Sequence, residues 1–299
     1  MTDDTPWTIG RLLTWTTDYL SKHGGDSPRL DAEVLLAHAR GSSRIQLYTD
    51  FATVASDELR EAYRQLVKQR AQGMPVAYLV GHREFYSLDF TVSPDVLIPR
   101  PETEFVLVSL FDLVKKHQLR QEPLKIVDVG TGSGILAICA ARQIPQSHVW
   151  AIDASSAALE IARQNVERHA VADRVTLLEG DLLQPLPADV KLDFILSNPP
   201  YVSQGEWEGL APEVRDHEPR SALVGGERGD EIIRRLVAEA AQRLVPGGWL
   251  ILEISPMLQP HVESWFADDP IFEPPVVTKD LAQLPRVVTA RRRPDQLSA

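Results

Sequence analysis

The chain has 299 residues, 43% of them hydrophobic and 24% charged, and a formal net charge of −11. That length accommodates one large domain and a small one, and no apolar run approaches the roughly 20 residues of a membrane span. The acidic balance argues against a nucleic-acid substrate, whose sequence-independent affinity comes from Lys and Arg on phosphates, and leaves a protein as the expected partner. The opening MTDDTPWTIG has neither the basic nor the apolar segment of a secretory leader, so the expected location is the cytoplasm.

The first part of the chain reads as helices. Thr8 caps a run through Ile9, Leu12, Leu13 and Leu20, which Gly24-Gly25 is expected to stop. Ser27-Pro28 opens a second run through Leu35 to Gly41, and Ser56 with Asp57 and Glu58 opens a third through Tyr63 and Val67 to Gly73. The third carries Arg60, Arg64 and Lys68 as a stripe, read as a solvated face. Residues 1–80 hold nine Lys and Arg against ten Asp and Glu, so nearly all the excess acid lies in the remainder. Residues 1–75 are thus expected to form a helical bundle. AYLVGHREFYSLDFTVS, within residues 76–98, is expected to be a linking hairpin with stretches around Gly81 and Ser87.

From residue 99 to 299 strands alternate with helices: LKIVDVG, VWAIDAS, RVTLLEGD, LDFILSN and GGWLILEIS are candidate strands, and PPVVTKDLAQLPRVVTARR supplies two more at a sheet edge. This pattern predicts an α/β class with a parallel sheet covered by helices on both faces. Cys139, the single cysteine, excludes an intramolecular disulfide and a multi-cysteine zinc site and is read as a packing residue. His82, His217 and His261 lack metal-ligand spacing, and no metal is expected. The segment between Val202 and Gly229 is long and rich in Glu, Gly and Pro, which suggests a substrate lid. RRRPDQLSA is expected to be a frayed tail.

The functional residues sit at successive strand ends. DVGTGSG follows the first strand, and its loop Gly130-Thr131-Gly132-Ser133-Gly134 opens a helix, a place where backbone amides approach a ligand closely. Asp153, nineteen residues past Gly134, ends the next strand where a carboxylate accepts from both ribose hydroxyls. Asp181 and Leu182 end the third, in reach of an adenine. GxGxG in place of G-x-G-x-x-G, with no good pyrophosphate cradle, points to S-adenosylmethionine. Asn198-Pro199-Pro200-Tyr201 ends the fourth strand. An amide nitrogen is a poor nucleophile, so its geometry must be fixed against the methyl donor. The Asn198 side-chain carbonyl and the Pro199 backbone carbonyl can accept the two N–H bonds of an NH2 group, on a mount stiffened by Pro199 and Pro200, while Tyr201 covers the planar substrate group.

The stretches PVAYLVGHREFYSLDFTV, VLIPRPETE, DVGTGSG, GDLLQPL, SNPPY and EVRDHEPRSAL followed by a double glycine resemble the peptide chain release factor glutamine methyltransferases, the PrmC/HemK family, over nearly the whole length. The resemblance implies a class I S-adenosylmethionine-dependent fold, Rossmann-like with a seven-stranded mostly parallel sheet and an N-terminal helical bundle that grips the release factor. It implies N5-methylation of the glutamine in the GGQ motif of class 1 release factors. It assigns cofactor contacts to Gly130 through Gly134, Asp153, Asp181, Leu182 and Asn198, and glutamine recognition to Asn198, Pro199, Pro200 and Tyr201. Phe85, Arg100, Pro101 and Thr103 are implied to shape the pocket. The chain departs from the family pattern at Glu227 to Asp230, at Ser255-Pro256 after Glu253-Ile254, and at Gln283, where glycine is common. An adenine methyltransferase acting on DNA would use the same carbonyl pair, but would want a basic groove and a target-recognition domain. A glutamine methyltransferase acting on a ribosomal protein shares the catalytic half, and a non-catalytic relative would be expected to have lost some of Gly130, Asp153, Asn198 and Tyr201.

Overall fold

The computed structural model describes residues 6–23, 26–267 and 269–295. The chain contacts cluster into two units, one made of the residues up to His82 together with Ala211–His217, the other of Arg83–Leu210 and the residues from Glu218 on.

The first unit contains α1 (Ile9–Ser21), α2 (Pro28–Arg40), α3 (Arg44–Thr49), α4 (Asp57–Ala71) and α5 (Val76–Val80). Its helices start where their caps are. Thr8 accepts from the Arg11 amide and Ser56 from the Leu59 amide, each at 3.2 Å, and Pro28 fills the first turn of α2. Gly41 ends α2 in the left-handed conformation. Leu13, Leu35, Leu36 and Leu47 are fully buried between these helices, and the Tyr63 hydroxyl donates to Ala32 O at 3.0 Å. The Gly24-Gly25 stop lies outside the described residues. Two short helices, α3 and α5, were not expected. Ala77–Val80, expected as a strand, falls in α5 and only His82–Phe85 (β1) and Leu88–Thr91 (β2) pair as a hairpin. Pro75 sets the start of α5 and Gly81 its left-handed end, so the aromatic and branched residues between them close one helical turn.

The second unit continues in chain order with α6 (Glu104–Lys116), β3 (Lys125–Val129), α7 (Ile135–Gln143), β4 (His148–Asp153), α8 (Ser156–Arg168), β5 (Val175–Glu179), β6 (Leu192–Ser197), β7 (Val202–Ser203) and α9 (Gln204–Trp207). After α10 (Pro212–His217), which clusters with the first unit, come β8 (Val224–Gly226), α11 (Glu231–Arg243), β9 (Leu244–Glu253), α12 (Gln259–Ala267), β10 (Val276–Lys279) and β11 (Pro285–Arg291). The segment read as a lid therefore carries regular structure of its own, with Ser203 and Glu206 forming a reciprocal cap on α9.

Seven strands form one sheet in the order β10-β11-β9-β6-β3-β4-β5, with only β11 running against the rest. Successive strand residues feed opposite layers. Ile126, Phe194 and Leu196 pack among α6, α7 and α8, whereas Val127, Ile195 and Leu192 pack toward α11 and α12, as a sheet covered on both faces requires. Arg291 ends β11 and Arg292 bridges to Phe272, so the start of the expected tail is held by edge pairing; residues 296–299 lie outside the described residues. The chain leaves β3 for β4 and β5 on one side and returns through β6 and β9 on the other. That reversal opens a crevice at the carboxyl end of β3.

Candidate active site

Register brings the strand ends level. Val129 pairs with Ile152 of β4 and with Ser197 of β6, so the glycine loop, Asp153 and Asn198 all emerge at one edge of the sheet. Ser197 Oγ donates to Val129 O at 2.7 Å and ties the two central strand ends together.

Gly130, Gly132 and Gly134 all have positive φ, which a side chain would strain. The Gly130 and Thr131 amides both donate to Ile152 O at 2.9 Å, and the Gly132 amide donates to Asp153 Oδ2 at 2.9 Å. Asp153 also accepts from the Ser155 amide at 2.9 Å, and burial raises its pKa against those bonds. Asn165, fully buried on α8, donates to Ser133 O at 2.8 Å and to Thr91 O at 3.0 Å, and so holds the loop against β2.

These groups surround a cleft of about 270 Å3, lined also by Leu136, Ile152, Leu182 and Pro200. Asp128 lies at its floor, 1% exposed. Its Oδ2 accepts from Thr131 Oγ1 at 2.6 Å and from the Ala137 amide at 3.1 Å, whereas Oδ1 is buried with no partner. Burial pushes this carboxyl up to about 7. An unmatched carboxylate oxygen beside an apolar wall asks for a cationic or donating ligand. S-adenosylmethionine meets that demand with its amino and sulfonium charges, its ribose hydroxyls and its adenine, and the residues present fit it. The sequence reading overlooked Asp128 because it is a strand residue, with nothing local to mark its free oxygen.

Asp181 lies at the rim, its side chain 51% exposed and 2.5 Å from Arg235, while Leu182 is buried in a left-handed turn. Asn198 Nδ2 donates to Thr103 Oγ1 at 3.0 Å. The Tyr201 hydroxyl donates to Glu253 Oε1 at 3.1 Å, and burial followed by the Glu253 charge raises the phenol pKa. Arg100 pairs with the buried Glu218, whose Oε2 also takes the Ile98 amide at 3.2 Å. Phe85 is placed in the core, edge-on to Phe90 at 6.3 Å, and does not line the cleft. Gly225, the first of the double glycine, and Gly229 beyond it have steric reasons the sequence did not reveal. A Cβ on Gly225 would collide with the Pro200 and Gly229 carbonyl oxygens, and one on Gly229 with Tyr201 O.

The fold and the strand-end cleft define a methyltransferase. Residues 110–213 match the methyltransferase small domain and residues 11–81 the PrmC N-terminal domain. A methyltransferase from Pyrococcus furiosus, 20% identical, shares the fold with a TM-score of 0.50 over 70% of this chain and 91% of that one. The particular family follows from full-length relatives. The release factor glutamine methyltransferase of Rhodopirellula baltica is 47% identical over 97% of this chain and 98% of its own, and that of Nitratidesulfovibrio vulgaris 39% identical over 95% of both. The chain belongs to the release factor glutamine methyltransferases.

Proposed function

We propose that this protein transfers a methyl group from S-adenosylmethionine to the side-chain amide nitrogen, N5, of the glutamine in the GGQ motif of class 1 release factors, with Asn198 to Tyr201 as the amide-binding element. The single observation that supports this role is the orientation of Asn198. Its NH2 end is committed to Thr103 at 3.0 Å, which leaves Oδ1 as the end available to a substrate, and Asn198 lines the cleft.

When bound, S-adenosylmethionine supplies an electrophilic methyl on a sulfonium. In this reading the loop from Gly130 to Gly134, Asp153, Asp181, Leu182 and Asn198 would hold the cofactor, and the unmatched Asp128 Oδ1 would meet a donating or cationic group of it. The Asn198 Oδ1 and the Pro199 carbonyl would accept the two N–H bonds of the glutamine amide and favour pyramidalisation of the nitrogen, which releases its lone pair from conjugation with the carbonyl; the surplus proton leaves to solvent after the methyl is transferred. Proline rigidity at positions 199 and 200 fixes both acceptors, so orientation is established before the methyl arrives; well-oriented positioning supplies roughly 7 to 11 kcal/mol of a barrier. Tyr201, with its hydroxyl held by Glu253, offers a fixed ring face to the planar amide. The helical unit is the release-factor-binding domain in this reading, and the setting is the cytoplasm; among the described residues no helix is long and apolar enough to cross a membrane.

Asn198→Ala should lower methyl transfer to a purified release factor by at least about 100-fold, the scale on which loss of one fixed polar group acts in a transition state. Transfer of labelled methyl at the wild-type rate by that variant would defeat the acceptor role. Label offered in parallel to ribosomal proteins and DNA should stay off both.

A further inference from the structure

Among the described residues that line the cleft, Asp95, Asp128, Asp153 and Asp181 are acidic and Arg100 is the single Lys or Arg. Arg100 is held by Glu218, whose side chain is 1% exposed and whose two oxygens are both engaged: Oε1 accepts from Arg100 Nη2, and Oε2 from the Ile98 amide at 3.2 Å. One buried carboxylate thus fixes the backbone before Arg100 and the guanidinium itself. The Arg100 carbonyl accepts from the Thr103 amide at 3.1 Å, and Thr103 Oγ1 accepts from Asn198 Nδ2 at 3.0 Å. Arg100 therefore stands one turn from the residue that holds Asn198, which follows β6, whereas Asp153 and Asp181 mark the ends of β4 and β5 on the other side of β3.

S-adenosylmethionine brings one anion into this cleft, the α-carboxylate of its methionine end, and a carboxylate taken out of water needs charge-matched donors. The glycine loop has few to give. The Gly130 and Thr131 amides are committed to Ile152 O, the Gly132 amide to Asp153, and the Gly134 amide to Thr131 O at 2.8 Å. In the first turn of α7 the Ala137 amide already serves Asp128, whose own charge opposes a second carboxylate there. Arg100 meets neither obstacle. A guanidinium carries several N–H donors on different edges of one plane, so its bond to Glu218 holds the plane still and leaves further donors for a ligand.

We propose that Arg100 binds the α-carboxylate of S-adenosylmethionine, and that buried Glu218 is the positioning residue that aims it. The inference rests on S-adenosylmethionine as the cofactor and is independent of which nitrogen receives the methyl. The adenosine end is met by Asp153, Asp181 and Leu182, and the methionine end by a pair of opposite charges. The unmatched Asp128 Oδ1 answers the amino group, and Arg100 answers the carboxylate. A ligand that lacks one of those two groups satisfies only one of the two residues.

The test measures binding alone, by calorimetry on the full-length protein, with S-adenosylmethionine and with its decarboxylated analogue, which keeps the adenosine, the sulfonium and the amine. The wild type should bind S-adenosylmethionine about 10- to 100-fold more tightly, the scale of a charge-assisted hydrogen-bonded pair. Arg100→Met should erase that preference by weakening S-adenosylmethionine alone, with the affinity of the analogue changing less than about 3-fold. Glu218→Gln keeps an acceptor but drops the charge that aims the guanidinium, and should narrow the preference by about 3- to 10-fold. A merely structural role would weaken both ligands together. Arg100→Met leaves Glu218 buried and unpaired, so if it does not fold, the double variant Arg100→Met/Glu218→Gln, which removes both charges, should show the same loss of preference. A wild type that binds the two ligands equally, or a folded Arg100→Met that still prefers S-adenosylmethionine, overturns the inference. An unchanged preference in Glu218→Gln overturns the positioning role. If Arg100→Met keeps the preference and instead raises KM for the release factor, Arg100 serves the substrate and the inference fails. None of these outcomes touches the glutamine reading, which Asn198→Ala tests separately.

Discussion

Two carboxyls, Asp128 and Glu253, are each 1% exposed and each raised to about 7 by burial. A carboxyl whose folded pKa exceeds its unfolded value binds its proton more tightly in the native state, so stability is greatest below the unfolded pKa and is lost as pH rises through the folded one. The protein without cofactor should therefore be more stable near pH 5 than near pH 8. Glu253→Gln replaces the charge with a neutral group of the same shape. In urea melts it should exceed the wild type near pH 8 by on the order of 2 to 3 kcal/mol, with the difference vanishing near pH 5. Equal stabilities of the two proteins at pH 8 would mean that Glu253 is not held against its charge.

At the scale of elements, the strand pair β7 and β8 supports the tetrapeptide from outside, with Val202 opposite Val224. Gly225→Ala should push its new methyl into Pro200 O and shift the mount. The expected result is a loss of kcat of about 10-fold or more, because misplacement of an oriented group by a fraction of an ångström is costly, with a Tm drop of a few degrees. The hairpin between β10 and β11 offers the opposite case. Gln283 stands at φ +63, a conformation that costs an L side chain roughly 1 kcal/mol or more and that glycine adopts freely. Gln283→Gly should leave methylation unchanged and raise stability by up to about 1 kcal/mol in chemical denaturation. The cofactor loop and the tetrapeptide were legible because each is a local run at the end of a strong strand. The bonds from Tyr201 to Glu253 and from Asn198 to Thr103 were not, since their partners lie 52 and 95 residues apart in the chain. Short helices α3 and α5 were missed because one or two turns show no period. The need for Gly225 and Gly229 is written in their contacts and nowhere in their neighbours.

On the scale of the whole molecule, charge is distributed unevenly in function as well as in count. In the helical unit, Arg60 and Arg64 of the expected stripe pair with Asp57 and Glu61 of the same helix. The buried cation there is Arg70, 9% exposed, which meets Asp31 at 2.8 Å and Glu213 of α10 at 2.7 Å. Removing it leaves Asp31 in a site where burial already raises its pKa. Arg70→Met should cost about 2 to 4 kcal/mol in the unfolding of this unit, followed by the fluorescence of Trp7 and Trp15, whereas the exposed Arg64→Ala should cost less than about 0.5 kcal/mol. Because α10 comes from far along the chain, the sequence showed a bundle of local helices and concealed the long-range ion pair that closes it. The catalytic unit uses its one-way Asn198 differently. If Asn198 Oδ1 and the Pro199 carbonyl accept the glutamine NH2 as proposed, a group that donates twice is welcomed there and one that only accepts is repelled. A release factor whose glutamine has deamidated to glutamate presents an oxygen where the NH2 stood, and in a competition binding assay it should displace the intact factor poorly.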